Sequence, residues 1–268
     1  MGRLKLTVEN YHSPQARKEY LSASRYKDYA GSLGIVPCEA RALALERGEW
    51  EEAPTPSMLM SSFVDAHFSG NLGAFKSQNP DIFTKQGELK AQYKDAEKII
   101  QRIERDPYFM KYMSGQKQVI MTAELFGARW SCMIDSFIPD VAIVDLKVMA
   151  DLRKAFWVKD WGNMSFIQFW GYIEQAAIYQ AVVEKNTGKQ LPFYIAAASK
   201  EDEPDLEIIA FDQNSIDEIL TVIERNVLRI LDVKSGKVTP DRCGQCDYCR
   251  KTKVLHEPIH YSDLILKP

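Results

Sequence analysis

The sequence lacks the features that mark several large protein classes. Its apolar runs, such as Val119–Ala123 and Ile208–Phe211, fall far short of the roughly 20 residues that span a bilayer, which argues against a membrane protein. The start, Met1-Gly2-Arg3-Leu4-Lys5-Leu6, has a basic cluster with no apolar core after it. No signal peptide is therefore expected, and the cytoplasm is the expected location. A Gly-x-x-x-x-Gly-Lys phosphate loop is absent, so no ATP-driven motor of that type is encoded. Neither an internal repeat nor a low-complexity segment is present. A strong positive charge is missing too: the net charge is -3. That counts mildly against nucleic-acid binding, although carboxylates kept for metal ions would offset the lysines and arginines that hold phosphate. Cysteine is scarce, yet three of the five cysteines crowd into Cys243-Gly-Gln-Cys246-Asp-Tyr-Cys249. Such crowding suggests a metal site rather than disulfides.

What is present suits one large globular domain, with 268 residues and 46% apolar composition. Residues 15–30 and 38–50 read as helical, 51–57 as a loop, 58–68 as a helix and 69–87 as a loop rich in Gly, Asn, Pro and Ser. Glu88–Glu104 reads as a helix ended by Asp106-Pro107. Three strands follow, over 119–126, 128–138 and 141–148, with turns at Gly127 and Pro139-Asp140. After a basic, aromatic stretch over 151–164 come a long helix over 165–187, strands over 193–198 and 206–211, and an amphipathic helix over 214–233. This order predicts an α/β core with a mixed sheet. We expect an N-terminal helical region (1–57), a core (58–235) and a cysteine-rich tail (236–268) packed on it, within a single overall domain.

The most informative segment is the hairpin around Asp140. With the turn centred there, Asp135 stands opposite Asp145, and directly paired residues have Cβ atoms only ~5 Å apart. Two carboxylates that close call for a cation, and hard oxygen ligands suit Mg²⁺ or Mn²⁺. Alternation puts Asp145 and Lys147 on one face and Val144, Leu146 and Val148 on the other. The backbone carbonyl of Leu146 is a further candidate ligand. Lys147 can hold or polarise water and a phosphate. The same residues also suit an edge hairpin with a solvated Asp/Lys face. Asp140, after Pro139, fits turn chemistry.

Ile134-Asp135 followed by Ile143-Val-Asp145-Leu-Lys147 resembles the core of the PD-(D/E)xK nuclease superfamily, nearest to the RecB-like and phage RecE-like exonucleases. That resemblance implies a restriction-endonuclease-like fold and a metal-dependent DNA nuclease. The family's Gln-x-x-x-Tyr helix matches Gln175 and Tyr179, which are four residues apart and share a helix face. Its Gly-x-x-Val-His helix matches Ser61-Ser-Phe-Val64-Asp65-Ala-His67 imperfectly. The family's histidine position holds Asp65, and His67 follows two residues later, so one of the two faces the site. Glu124, on the preceding strand, is a further candidate for the metal or a site lysine.

Related nucleases of the AddB and four-cysteine CRISPR-associated types carry an iron–sulfur cluster on one cysteine before the core and three after it. By resemblance, Cys38, Cys243, Cys246 and Cys249 would hold a [4Fe–4S] cluster. Zinc on these cysteines, or on three of them plus His256 or His260, is an alternative, as are free thiols. Arg153, Lys154, Trp157, Lys159 and Trp161 form a candidate DNA contact, with the lysines on phosphate and Trp157 stacking on bases. The tryptophans could equally fill the core. The expected function is a phage or prophage recombination exonuclease acting on double-stranded DNA. A ring-like homo-oligomer and a single-strand annealing partner follow from the resemblance. A CRISPR-associated or repair nuclease, and a catalytically degenerate DNA-binding scaffold, are the rival readings.

Overall fold

In the computed structural model, which describes residues 4–264, the chain runs through eleven α-helices and eight strands. Seven helices come first: α1 (Pro14–Glu19), α2 (Ala23–Ala30), α3 (Glu39–Arg47), α4 (Pro56–Phe68), α5 (Leu72–Gln78), α6 (Asp95–Glu104) and α7 (Pro107–Tyr112). Strands β1 (Val119–Leu125), β2 (Ala128–Ile134), β3 (Ser136–Ile138), β4 (Ala142–Met149), β5 (Phe156–Val158) and β6 (Gly162–Met164) follow. Then come α8 (Phe166–Phe169), α9 (Tyr172–Thr187), β7 (Phe193–Ser199), β8 (Leu206–Ala210), α10 (Gln213–Lys234) and α11 (Asp247–Lys251). Part of the N-terminal basic cluster, residues 1–3, lies outside the described residues.

The central sheet has the order β3-β4-β7-β8. β4 pairs antiparallel with β3 and parallel with β7, while β7 and β8 are antiparallel, so the sheet is mixed as expected. Residues alternate between its two faces. Ile143, Phe193, Ile195 and Ala197 join a core with α9, α10, β1, β2 and the N-terminal helices α2 and α3. Ala142, Val144, Leu146, Val148, Ala196 and Ala198 join a second core with α4, α6 and α7. The sheet is thus sandwiched between helical layers, a restriction-endonuclease-like α/β arrangement. α10 docks through Ile216, Ile223, Val227, Ile230 and Val233, an apolar stripe at helical spacing. Asp212 caps its start by accepting from the Ser215 N–H.

Several boundaries differ from expectation. The expected strand over 128–138 breaks at Asp135, because β2 pairs with β1 and β3 pairs with β4. The helix expected from Glu88 begins only at Asp95. Backbone bonds from Lys90 to the Ile82 carbonyl (2.9 Å) and from Thr84 to the Glu88 carbonyl (2.8 Å) claim the earlier residues. The expected loop over 69–87 contains α5. The expected helix over 165–187 is interrupted at Gly171, which is left-handed (φ 65°) and precedes α9. The aromatic stretch forms the hairpin β5–β6, with positive φ at Asp160 and Gly162. No helix among the described residues is long and apolar enough to cross a membrane.

Candidate active site

β4 presents Asp145 and Lys147 on the face toward α9. The hairpin register pairs Ser136 with Val144, Phe137 with Ile143 and Ile138 with Ala142. Extended by one step, it sets Asp135 opposite Asp145. Asp135 itself sits in the bend between β2 and β3, and its Oδ2 accepts the Leu146 N–H at 2.8 Å. A side chain thus replaces the ladder partner at the point where the strand changes neighbours. Asp145 is buried. Its Oδ1 accepts from Gln175 Nε2 at 2.6 Å, and its Oδ2 contacts the Lys147 ammonium. From α4, Asp65 lies close enough for its charge to act on Asp135. Asp65, Asp135, Asp145 and Lys147 line one cleft of about 700 Å³.

The electrostatics are those of crowded carboxylates. Burial raises the Asp135 carboxyl well above its usual range, and the neighbouring Asp145 and Asp65 raise it further. Asp65 is pushed up to about 6, first by burial and then by Asp145. Burial works against the Lys147 ammonium, but Asp145, Tyr172 and Asp135 outweigh it, so its pKa shifts upward and it stays charged. Three mostly sequestered acids with one close lysine make a donor set of hard oxygens with excess negative charge. This fits a divalent cation of the Mg²⁺ or Mn²⁺ type. Leu146 lines the same cleft, with its N–H already taken by Asp135.

Other sequence candidates are distributed unevenly. Tyr179 lines the cleft, but its hydroxyl donates to the Met133 carbonyl at 3.2 Å and braces β2. Asp65, not His67, is the α4 residue brought to the carboxylates. The His67 ring pairs with Glu104 at 2.8 Å, because two residues along a helix turn the side chain to another face. Glu124 is also not brought to the cleft. It sits on β1 opposite Arg129, with its carboxylate 4.0 Å from that guanidinium. Trp157 and Trp161 are 74% and 65% exposed on the β5–β6 hairpin, so they do not fill the core. The hairpin is anchored instead by Phe156, stacked on Phe169 at 4.2 Å between centroids. Lys154 lies over the Phe156 ring, and Lys159 sits in the turn. Cys38, Cys243, Cys246 and Cys249 converge away from the cleft lining. His256 and His260 are exposed and outside that group.

Lys27, Tyr172 and Lys117 also stand near the carboxylates, without a signal in the sequence. Lys27, on α2, donates to the Trp170 carbonyl at 2.9 Å. Tyr172 has the ammonium groups of Lys27 and Lys147 at 5.0 and 5.1 Å from its ring centroid. Burial, then Lys147, lowers Lys27 to about 8. Lys117 donates to the Met113 carbonyl and lies within the field of Asp135 and Asp65. Nothing local in the sequence distinguishes Lys27 from a surface lysine; only the docking of α2 against α9 brings it here.

The chain is similar to known proteins over nearly its whole length. A candidate exonuclease from Eubacterium rectale, known from its crystal structure, superposes with a TM-score of 0.95 at 55% identity, covering 98% of each chain. LHK-Exo in complex with dAMP aligns with a TM-score of 0.37 at 12% identity, over 86% of this chain and 99% of that one, too remote to bear on this site. No match was found among curated proteins. The family model described as a PDDEXK-like domain of unknown function (DUF3799) matches residues 22–252. By that match, which spans most of its length, the chain belongs to this PDDEXK-like family.

Proposed function

We propose that the chain is a metal-dependent deoxyribonuclease that hydrolyses phosphodiester bonds. The observation that carries this reading is the convergence of Asp65, Asp135, Asp145 and Lys147 in one cleft of a PDDEXK-like chain. Asp135 and Asp145 would hold Mg²⁺ or Mn²⁺, with Asp65 and the Leu146 carbonyl as further ligands. When bound, such an ion polarises the phosphoryl group and lowers the pKa of an attacking water. Lys147 stays protonated, so it serves as a donor to the scissile phosphate or to the water rather than as a base. Gln175 fixes the orientation of Asp145 through its 2.6 Å bond. Tyr179 holds β2, and hence the bend that carries Asp135.

Digestion from a DNA end is the finer part of the proposal. It is supported by the likeness to the Eubacterium rectale protein and by the resemblance to RecB-like and RecE-like enzymes. Double-stranded DNA as substrate, a phage or prophage recombination role, a ring-like homo-oligomer and a single-strand annealing partner rest on that resemblance alone. Lys154, Lys159 and Trp157 would contact DNA from the exposed hairpin. The three-part organisation, with helical region, core and tail in one domain, is likewise a proposal; it is supported by the packing of α2 and α3 into the core of α9 and α10.

A time course on end-labelled linear duplex and on a closed circle, with Mg²⁺ or Mn²⁺, tests the function. Linear DNA should shorten to small products while the circle stays closed. Lys147→Ala should slow the reaction at least about 100-fold with the fold retained by circular dichroism. Intact linear DNA under both metals would overturn the enzyme reading. Cleavage of the circle would replace the exonuclease with an endonuclease.

A further inference from the structure

The four converging cysteines have a spacing that discriminates between kinds of inorganic group. Their sulfurs all lie within 4.8 Å of one another. Cys38 and Cys249 are 3.5 Å apart, Cys246 and Cys38 3.8 Å, and Cys243 and Cys249 3.9 Å. Four thiolates arranged tetrahedrally around one ion at about 2.3 Å stand about 3.8 Å apart. In a [4Fe–4S] cluster each thiolate binds a different iron, outside an inorganic core, so the sulfurs must stand clearly wider. A disulfide would bring two sulfurs to about 2.05 Å, and these cysteines are free. The observed set is therefore too tight for the cluster and too open for a bridge.

The backbone around the sulfurs is arranged for thiolates. The Cys246 N–H points at Cys243 Sγ (3.3 Å), and the Cys249 N–H points at Cys246 Sγ (3.4 Å). Donors aimed at a ligand sulfur stabilise its negative charge, as outer-shell groups do in metal sites. Gly244, with φ 73°, allows the first tight turn. Cys38 begins α3 without a side-chain capping bond, which leaves its sulfur for the other three.

We propose that Cys38, Cys243, Cys246 and Cys249 hold a single tetrahedral zinc ion, in place of the iron–sulfur cluster that the wider resemblance suggests. Such a site pins the C-terminal tail to the start of α3. Four thiolates and no open ligand position make it structural rather than catalytic. None of the four lines the cleft, so the inference stands or falls independently of the nuclease reading.

Elemental analysis of the full chain, purified anaerobically without an affinity tag that binds metal, tests it. One zinc per chain is expected, without stoichiometric iron or acid-labile sulfide and without broad visible absorption. Exchange with Co²⁺ should give the intense visible bands of tetrahedral thiolate coordination. Cys249→Ser should lose the zinc, while Cys132→Ala should retain it. If Cys249→Ser does not fold, the cobalt spectrum of the unaltered chain decides the matter. Iron and sulfide in equal amounts with a brown colour would overturn the proposal in favour of the cluster. Metal-free protein that fails to take up Zn²⁺ or Co²⁺, with free or disulfide-bonded thiols, would overturn it outright.

Discussion

Lys27 illustrates how a residue with no sequence signature acquires a role by position. Its ammonium shares the Tyr172 ring with that of Lys147 at the edge of the carboxylate cleft. Because burial and Lys147 bring it to about 8, it carries charge below that pH and loses it above. If it holds phosphate, Lys27→Met should raise KM for linear duplex about tenfold, equivalent to a 1.4 kcal/mol contact, with less change in kcat. The variant should also lack the loss of affinity that the unaltered protein shows as pH rises through 8; a parallel pH profile would exclude the role. The carboxylates titrate with the opposite consequence. Asp65 and Asp135 have raised values, so the folded metal-free protein binds more protons than the unfolded chain. Its stability therefore falls as pH rises above the usual carboxylate range, through about 6 for Asp65 and beyond that range for Asp135. A bound divalent ion offsets that loss and competes with protons, so the melting-temperature gain from Mn²⁺ should be greatest near neutrality and shrink as pH falls through 6. A gain that does not vary with pH, or none at all, would count against the ion site. Asp145 and Lys147 were legible in the sequence because strand alternation alone puts them on one face. The choice of Asp65 over His67 was not, since it depends on how α4 is rotated against β4.

At the level of elements, the sequence shows its chemistry more clearly than its boundaries. Apolar periodicity marks α10 well, and the turn at Pro139-Asp140 fixes the register that sets Asp135 opposite Asp145. It does not reveal that Asp135 ends one pairing and begins another, because β2 and β3 read as a single run of strand-forming residues. The Gly171 interruption is equally hidden within helix-forming neighbours. A Cβ at Gly171 would lie 2.9 Å from Lys27 Cδ and 3.0 Å from Ser32 Cβ, in a backbone conformation with φ 65°. Gly171→Ala should therefore cost about 1–2 kcal/mol from the left-handed conformation alone. It should also lower activity by displacing Lys27 and the start of α9. Denaturant unfolding measures the first effect, and a KM-against-kcat comparison with Lys27→Met identifies the second.

Across the whole molecule, distant parts of the chain are tied together beside the cysteines. Arg229 on α10 donates to both Glu39 oxygens at 2.9 Å, and the Asp241 N–H adds a third bond to Glu39 at 2.7 Å. The Arg229 bond holds the Glu39 carboxyl below its ordinary value, against the effect of burial. Its stabilisation is thus present above the usual carboxylate pKa and lost as pH falls through the depressed one. Arg229→Met should lower stability at neutral pH, because the Glu39 carboxylate loses its main partner and keeps only the Asp241 N–H. The difference from the unaltered protein should narrow in acid; a pH-independent difference would point to lost packing instead. The sequence by itself determined the mixed α/β class, the shared face of Asp145 and Lys147 with Asp135 opposite Asp145, and the crowding of three cysteines, because alternation, turn chemistry and short spacings are local properties. Tertiary structure alone decided that Lys27 and Asp65 reach the cleft, that His67 and Glu124 do not, and that Cys38 meets cysteines more than 200 residues away at single-ion spacing. Those outcomes depend on how helices rotate and dock against the sheet, which no local pattern records.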